Sequence, residues 1–188
     1  MTHSIQDLAV AMLKCEQTKG QTVYQHGISV QEHFNDLLND PVEFKLPTWF
    51  EDYRKEIINS LHPQEIIQQY TLYHDVGKPF CKVTDESGSS HFPNHAGVSK
   101  NVWLSAGGDP VVGNLIGCDM DIHTLTSEDI KLKCEQWSVK DACTLLLASL
   151  AEIHSNAKLF GGQNSPSFKM KFKTIERRGK QICKHYFP

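Results

Sequence analysis

PQEIIQQYTLYHDVGKP, residues 63–79, runs from a proline that opens a helix to a Gly77-Lys78-Pro79 stop. Ile66, Ile67, Tyr70 and Tyr73 recur at three- and four-residue steps, the period of a helix with one face in a core. That helix ends on adjacent His74 and Asp75. Neighbouring side chains on a helix point about 100° apart, so both can reach one metal ion lying beside it. The second oxygen of Asp75 is then left to bridge to another ion.

The same period predicts helices along most of the chain. Ile5, Leu8, Ala9, Met12 and Leu13 put an apolar stripe on a helix over 5–19, stopped by Gly20. Thr22 caps a second helix to about Leu38, and Pro47 starts a third through Leu61. Residues 80–94 read as a loop with a short hairpin around Ser87-Gly88-Ser89. Asn94 caps a helix to about Ala106, and another spans Pro110 to Leu125. Ser127 with Asp129 starts the next, and a long one runs from Asp141 to Phe160 before Gly161-Gly162. Ser165-Pro166 begins a basic last helix at about 165–186. Period-two alternation is scarce. The expected fold is all-α, a bundle of about eight or nine helices in a single domain over 1–188.

Composition sets the outer limits. The chain has 188 residues, 39 % hydrophobic and 22 % charged, an ordinary globular balance rather than a disordered or collagen-like one. No apolar run approaches the roughly 18 residues of a membrane span, so no membrane contact is expected. The N-terminus lacks a basic n-region and a small-residue cleavage site, which makes the cytoplasm the expected compartment. Cys15, Cys81, Cys118, Cys134, Cys143 and Cys183 contain no C-x-x-C pair, so a zinc ribbon or a dithiol site is not expected and reduced thiols are. Gly107-Gly108 and Gly161-Gly162 follow no strand and are helix stops, not phosphate loops.

Charge is uneven. Up to Ala157 there are 11 Lys or Arg against 21 Asp or Glu; from Lys158 onward there are 8 against one, Glu176. A basic end on an acidic body suits a polyanion partner, although charge runs are as often simply solvated helix faces.

Ten histidines are more telling, since His is the commonest metal ligand. His26 lies in HGISV, His95 in HFPNHAGVS and His123 in CDMDIHTL, each near a helix end. With His74-Asp75 and Gly77-Lys78, these residues resemble the HD superfamily of metal-dependent phosphohydrolases. HDVGKP and FPNHAGVS are similar to the HD domain of CCA-adding tRNA nucleotidyltransferases. The spacing of the four histidines is also similar to HD-type dinucleotide hydrolases. The resemblance covers roughly residues 22–160.

The resemblance implies a helical bundle holding one or two divalent metals (Mn, Fe, Co, Ni, Zn or Mg). His26, His74 and Asp75 would be ligands, Asp75 bridging if two ions bind, with His95 and His123 completing a second site. The family normally supplies one more Asp from the late helix. Here that helix reads LAEIHSNAKLFGG, and Asn156 stands in the Asp position, with Glu152 one turn earlier as the other candidate. Asp119 and Asp121 are further carboxylates beside His123.

The activity implied is phosphohydrolysis by a metal-activated water, catalysed through Asp75, with Lys78 holding a phosphate oxygen as a point charge. Substrates would be nucleotides or nucleic-acid terminal phosphates; the alternatives are a 2′,3′-cyclic or dinucleotide phosphodiesterase and a degenerate HD domain that binds nucleotide or RNA without hydrolysis. His91 and His154 are candidate substrate contacts. Lys169 and Lys173 share one face of the basic helix and would meet an oligonucleotide or RNA. Phe168 and Phe172, Trp103 and Trp137 are expected in the core, His33 as a structural residue, and His3, His62 and His185 at the surface.

Overall fold

The computed structural model describes residues 3–39 and 41–188, and at Val42 the backbone alone. Among them are nine α-helices of eight residues or more, two of four residues and two short antiparallel ribbons. The all-α class therefore holds. No described helix is long and apolar enough to cross a membrane. The chain divides into two compact units, each built from two stretches: residues up to Ser29 with Gln64–Asp119, and Val30–Pro63 with Met120–Pro188.

The first unit opens with α1 (Ile5–Lys14), started by a reciprocal Ser4–Asp7 capping box. The helix expected to reach residue 19 stops at Lys14. Cys15 turns extended, and β1 (Glu16–Thr18) pairs with β2 (Gln21–Thr22). The turn needs a left-handed residue, which Gly20 supplies at φ 82, and the Glu16 carboxylate accepts the Gly20 N–H at 2.7 Å. A stripe read at helical period cannot register that side-chain turn.

α2 (Val23–Asn39) begins in this unit, with the Thr22 hydroxyl accepting the Gln25 N–H as expected. α4 (Gln64–Tyr73) follows, and His74 to Gly77 form turns rather than helix before α5 (Lys78–Cys81). The β3–β4 ribbon (Val83–Thr84, Ser90–His91) is the expected hairpin. α6 (His95–Ser105) packs on α7 (Pro110–Gly117), and α7 packs on α4. Trp103 is buried in that layer, tilted against Tyr73, its indole N–H donating to the Asp109 carbonyl at 2.9 Å.

The helix expected over 110–125 is broken: α7 ends at Gly117 and a separate turn, α8 (Asp121–Thr124), begins after it. Asp119, in the break, accepts the Tyr70 hydroxyl at 2.7 Å. It is therefore a buried tertiary partner of α4, not a residue on one helix face with His123.

The second unit is organised on α10 (Val139–Ser155), whose stretch from Ala142 to Ala151 is buried throughout. It packs on α8 and on α11 (Pro166–Tyr186), while α11 packs also on α3 (Thr48–Asn59) and α9 (Ser127–Cys134). Thr126 caps α9 in a capping box, and α9 starts at the expected Ser127; Ser138 caps α10 in another, and α10 starts at Val139, two residues before the expected Asp141. Gly179 gives Trp49 its place: a Cβ there would overlap the indole ring. The Arg178 guanidinium is buried and donates to the Ile122 and Leu125 carbonyls. His62, expected at the surface, is half-buried with Nε2 2.7 Å from Asp141 Oδ1. All six cysteines are free thiols.

Candidate metal centre

Five of the sequence candidates converge inside the first unit. Asp75 sits two residues past the end of α4 and is 1 % exposed. Its Oδ2 lies 3.2 Å from His74 Nε2, 3.7 Å from His26 Nε2 and 2.6 Å from Lys78 Nζ. Its Oδ1 lies 3.6 Å from His95 Nε2, and no hydrogen bond from a described residue reaches that oxygen. His26 comes from α2, His95 from the first turn of α6, and the His26 and His74 rings meet edge to face with centroids 5.2 Å apart.

Two close backbone approaches bring these elements together. A Cβ on Gly27, next to His26, would overlap the Leu72 carbonyl and come 3.0 Å from its carbon, so α2 lies directly on the end of α4. A Cβ on Gly77 would meet the Ser99 backbone, 2.7 Å from its Cα, and the Gly77 N–H donates to the Ser99 hydroxyl at 2.8 Å. The turn that carries His74 and Asp75 is thereby seated on α6, beside His95.

The imidazole tautomers follow from the hydrogen bonds on the far nitrogens. His74 Nδ1 is 2.9 Å from the Thr71 carbonyl, and His95 Nδ1 is 3.1 Å from the Phe92 carbonyl. A carbonyl only accepts, so both Nδ1 atoms carry hydrogen and donate. In the neutral ring each Nε2 is then a lone pair directed toward the Asp75 carboxylate. Lone pairs facing a carboxylate in a buried site repel one another unless cations lie among them; the Lys78 ammonium is one, at Oδ2, and a metal ion would be another. Carbonyl-oriented imidazoles presenting Nε2 are the usual support for metal-ligating histidine.

The donor set also fits by size. Ligand bonds of about 2.0–2.2 Å put neighbouring donors roughly 3.0–3.5 Å apart, close to the separations around Asp75. His26 and His74 each present a ring nitrogen within 4.8 Å of the other's. Burial works to raise the pKa of Asp75, but the Lys78 ammonium, with the His74 and His26 rings adding to it when they are protonated, outweighs burial and holds the carboxyl well below its usual range. Asp75 is therefore an anion at neutral pH.

Lys78 is turned inward. Besides Asp75 it donates to Gln17 Oε1 at 3.0 Å, and its ammonium lies 5.4 Å from the centre of the Phe92 ring. Gln17, Ser99 and the carbonyls of Thr71 and Phe92 are the parts of this site that the sequence reading missed; no spacing rule points to them.

In the second unit, His123 Nε2 lies 2.9 Å from Glu152 Oε2. Asn156 closes α10 as its C-cap, one turn beyond Glu152. Of the two residues considered for the late ligand, Glu152 is the one paired with His123. Asp121 faces Lys133 at 2.9 Å.

The candidate substrate contacts separate. His91 is on the exposed ribbon, 2.7 Å from Asp85. His154 is 4 % exposed, held edge-on by Phe44 and Phe168, with Nε2 3.0 Å from the Lys45 carbonyl. Burial pushes its imidazole down to about 4, so it is neutral at pH 7 and belongs to the core. His33 packs edge-on against Phe44. Phe168 is buried, and half-buried Phe172 stacks on it beneath the Lys45 ammonium. Lys169 and Lys173 are exposed on α11.

The chain matches no protein-family model and has no significant sequence match to a curated protein.

Proposed function

We propose that this protein is a divalent-metal-dependent phosphohydrolase acting on nucleotides or nucleic-acid terminal phosphates. The observation that carries this reading is the pair of imidazoles, His74 and His95, whose Nδ1–H groups are spent on carbonyls while Nε2 faces the buried Asp75 carboxylate. The resemblance of the HDVGKP segment to the HD superfamily supports it independently.

His26, His74, Asp75 and His95 would hold the ion, drawn from Mn, Fe, Co, Ni, Zn or Mg, since mixed nitrogen and carboxylate donors suit several of these. When bound, the ion supplies Lewis acidity and an activated water. Asp75 would offset the charge of the ion and accept a hydrogen bond from the attacking water. Lys78 would hold a phosphoryl oxygen as a point charge. His123 with Glu152 is a second candidate donor pair, whose contribution is read from metal content per chain.

The test is product analysis on nucleoside mono- and triphosphates, 2′,3′- and 3′,5′-cyclic nucleotides, dinucleoside polyphosphates and a 3′-phosphorylated oligonucleotide, each with Mn²⁺. Metal content is measured in parallel on the wild type, Asp75→Ala and His123→Ala. Cleavage of one class, lost in Asp75→Ala, is the expected result. Stoichiometric metal without cleavage moves the reading to a module that binds nucleotide without hydrolysis, which neutral Asn156 at the end of α10 would favour. A folded wild-type protein that retains no metal overturns both.

A further inference from the structure

The outward face of α11 is a line of cations with no counterpart in the site above. Lys169, Lys173, Arg177, Lys180 and Lys184 are all exposed. At about 100° per residue they fall within an arc of roughly 80°, and at 1.5 Å per residue they extend over about 22 Å. Successive charges are three or four residues apart, a rise of roughly 4.5–6 Å. Buried Phe168, Ile175, Gly179, Ile182 and Cys183 occupy the opposite side of the helix.

The acids that would ordinarily neutralise such a face are missing from it. Glu176 is the only acidic residue in α11. It is committed to the start of α3, accepting the Thr48 N–H at 2.9 Å and its hydroxyl at 2.6 Å, and to Lys180 at 2.8 Å. Lys169, Lys173, Arg177 and Lys184 have no acidic partner among the described residues. Helix stability does not call for this arrangement. The macrodipole favours cations only in the last turn, whereas these begin in the first, and like charges at i, i+4 cost a few tenths of a kcal/mol per pair.

We infer that the Lys169–Lys184 face of α11 binds the phosphodiester backbone of a single-stranded nucleic acid. A regular row of single charges on a straight rod complements a chain with one negative charge per repeating unit. Lysines and an arginine without aromatic neighbours in the arc read backbone rather than bases. Met170, 70 % exposed at the edge of the arc, leaves an apolar surface for the sugar and base side of the strand. The inference does not rest on the phosphohydrolase reading, and the binding is measured without turnover.

The experiment is fluorescence anisotropy of a labelled RNA of about 20 mixed nucleotides, titrated with the full chain between about 50 and 200 mM KCl. K169Q/K173Q/R177Q removes three exposed cations that have no acidic partner among the described residues, so the fold is not at risk; a control, K55Q/K131Q/K140Q, makes the same charge change at exposed lysines elsewhere. The expected result is a stripe variant bound at least about tenfold more weakly, with a log–log salt slope shallower by about 2, and a control close to wild type. Equal loss in both variants, no loss in the stripe variant, or no RNA binding by the wild type overturns the inference. Binding to vesicles of phosphatidylserine and phosphatidylcholine in place of RNA overturns it as well.

Discussion

Lys78 Nζ stands 2.6 Å from Asp75 Oδ2, three residues along the same turn, at a carboxylate that also has three imidazole nitrogens within 3.7 Å. A buried carboxylate needs a cation, and in this arrangement the lysine provides one from within the chain. Any divalent ion that binds Asp75 shares that carboxylate with the ammonium. The competition separates what Asp75 does from what Lys78 does.

Asp75→Asn keeps the shape and removes the charge. The expected outcome is loss of bound metal and a fall in hydrolysis of more than about a hundredfold. Adding Mn²⁺ at about 100 times Kd stabilises the wild type by about 2.7 kcal/mol and leaves the variant unchanged. Thermal melts with and without Mn²⁺ read this, and an equal rise in both proteins would place the metal elsewhere.

Lys78→Met separates binding from turnover. Without the competing ammonium the metal binds at least as tightly as in the wild type. A phosphoryl oxygen loses its point charge, and kcat falls about ten- to a hundredfold. Metal titration and turnover are measured on one preparation; weaker metal binding in the variant contradicts the competition.

Gly77→Ala forces a methyl group against the Ser99 backbone. Backbone cannot yield as a flexible side chain can, so about 1–3 kcal/mol of stability should be lost, with a Tm lower by several degrees. Metal affinity falls with it, because the same turn presents His74 and Asp75 to His95. A methyl group accommodated without change in Tm would show that the close approach does not constrain the turn.

Asp141 joins two elements of the second unit: it completes the α10 capping box with Ser138 and pairs with His62. Burial pulls its pKa up, but the Ser138 hydroxyl, the His62 ring and the Ser138 backbone outweigh it and hold it below 3.8. A carboxyl lowered in the folded state contributes stability above the unfolded pKa and loses it as pH falls through the folded one. Asp141→Asn should cost about 1 kcal/mol at neutral pH, and the gap to wild type should narrow below about pH 4. Urea midpoints at pH 7 and pH 3 check this; a gap independent of pH would remove the carboxylate from the explanation.

The parts of the fold legible in the sequence are those governed by neighbours three or four residues apart. The apolar stripes, Thr22 at the start of α2, Ser165-Pro166 at the start of α11 and the His74-Asp75 step at a helix end all belong to this class. The failures have a common cause. The ribbon after Lys14 depends on Gly20 and the Glu16 carboxylate, and the break before Asp121 on Asp119 bonding to Tyr70, 49 residues away. His62 and His154 looked available in the sequence. Asp141 holds His62 half-buried, and Phe44 and Phe168 close His154 into the core.

Local sequence was enough to say which residue types gather at the end of α4, because backbone hydrogen bonding and side-chain period reach only a turn or so along the chain. Which nitrogen of His95 faces Asp75 depends on the path of the loop before α6. The seat of the Asp75 turn depends on Ser99, 22 residues on, and the direction of Lys78 on Gln17, 61 residues back. Lone-pair direction and charge pairing are set by groups that only folding brings within hydrogen-bonding distance, so the candidate ligands were legible in the sequence and their orientation was not.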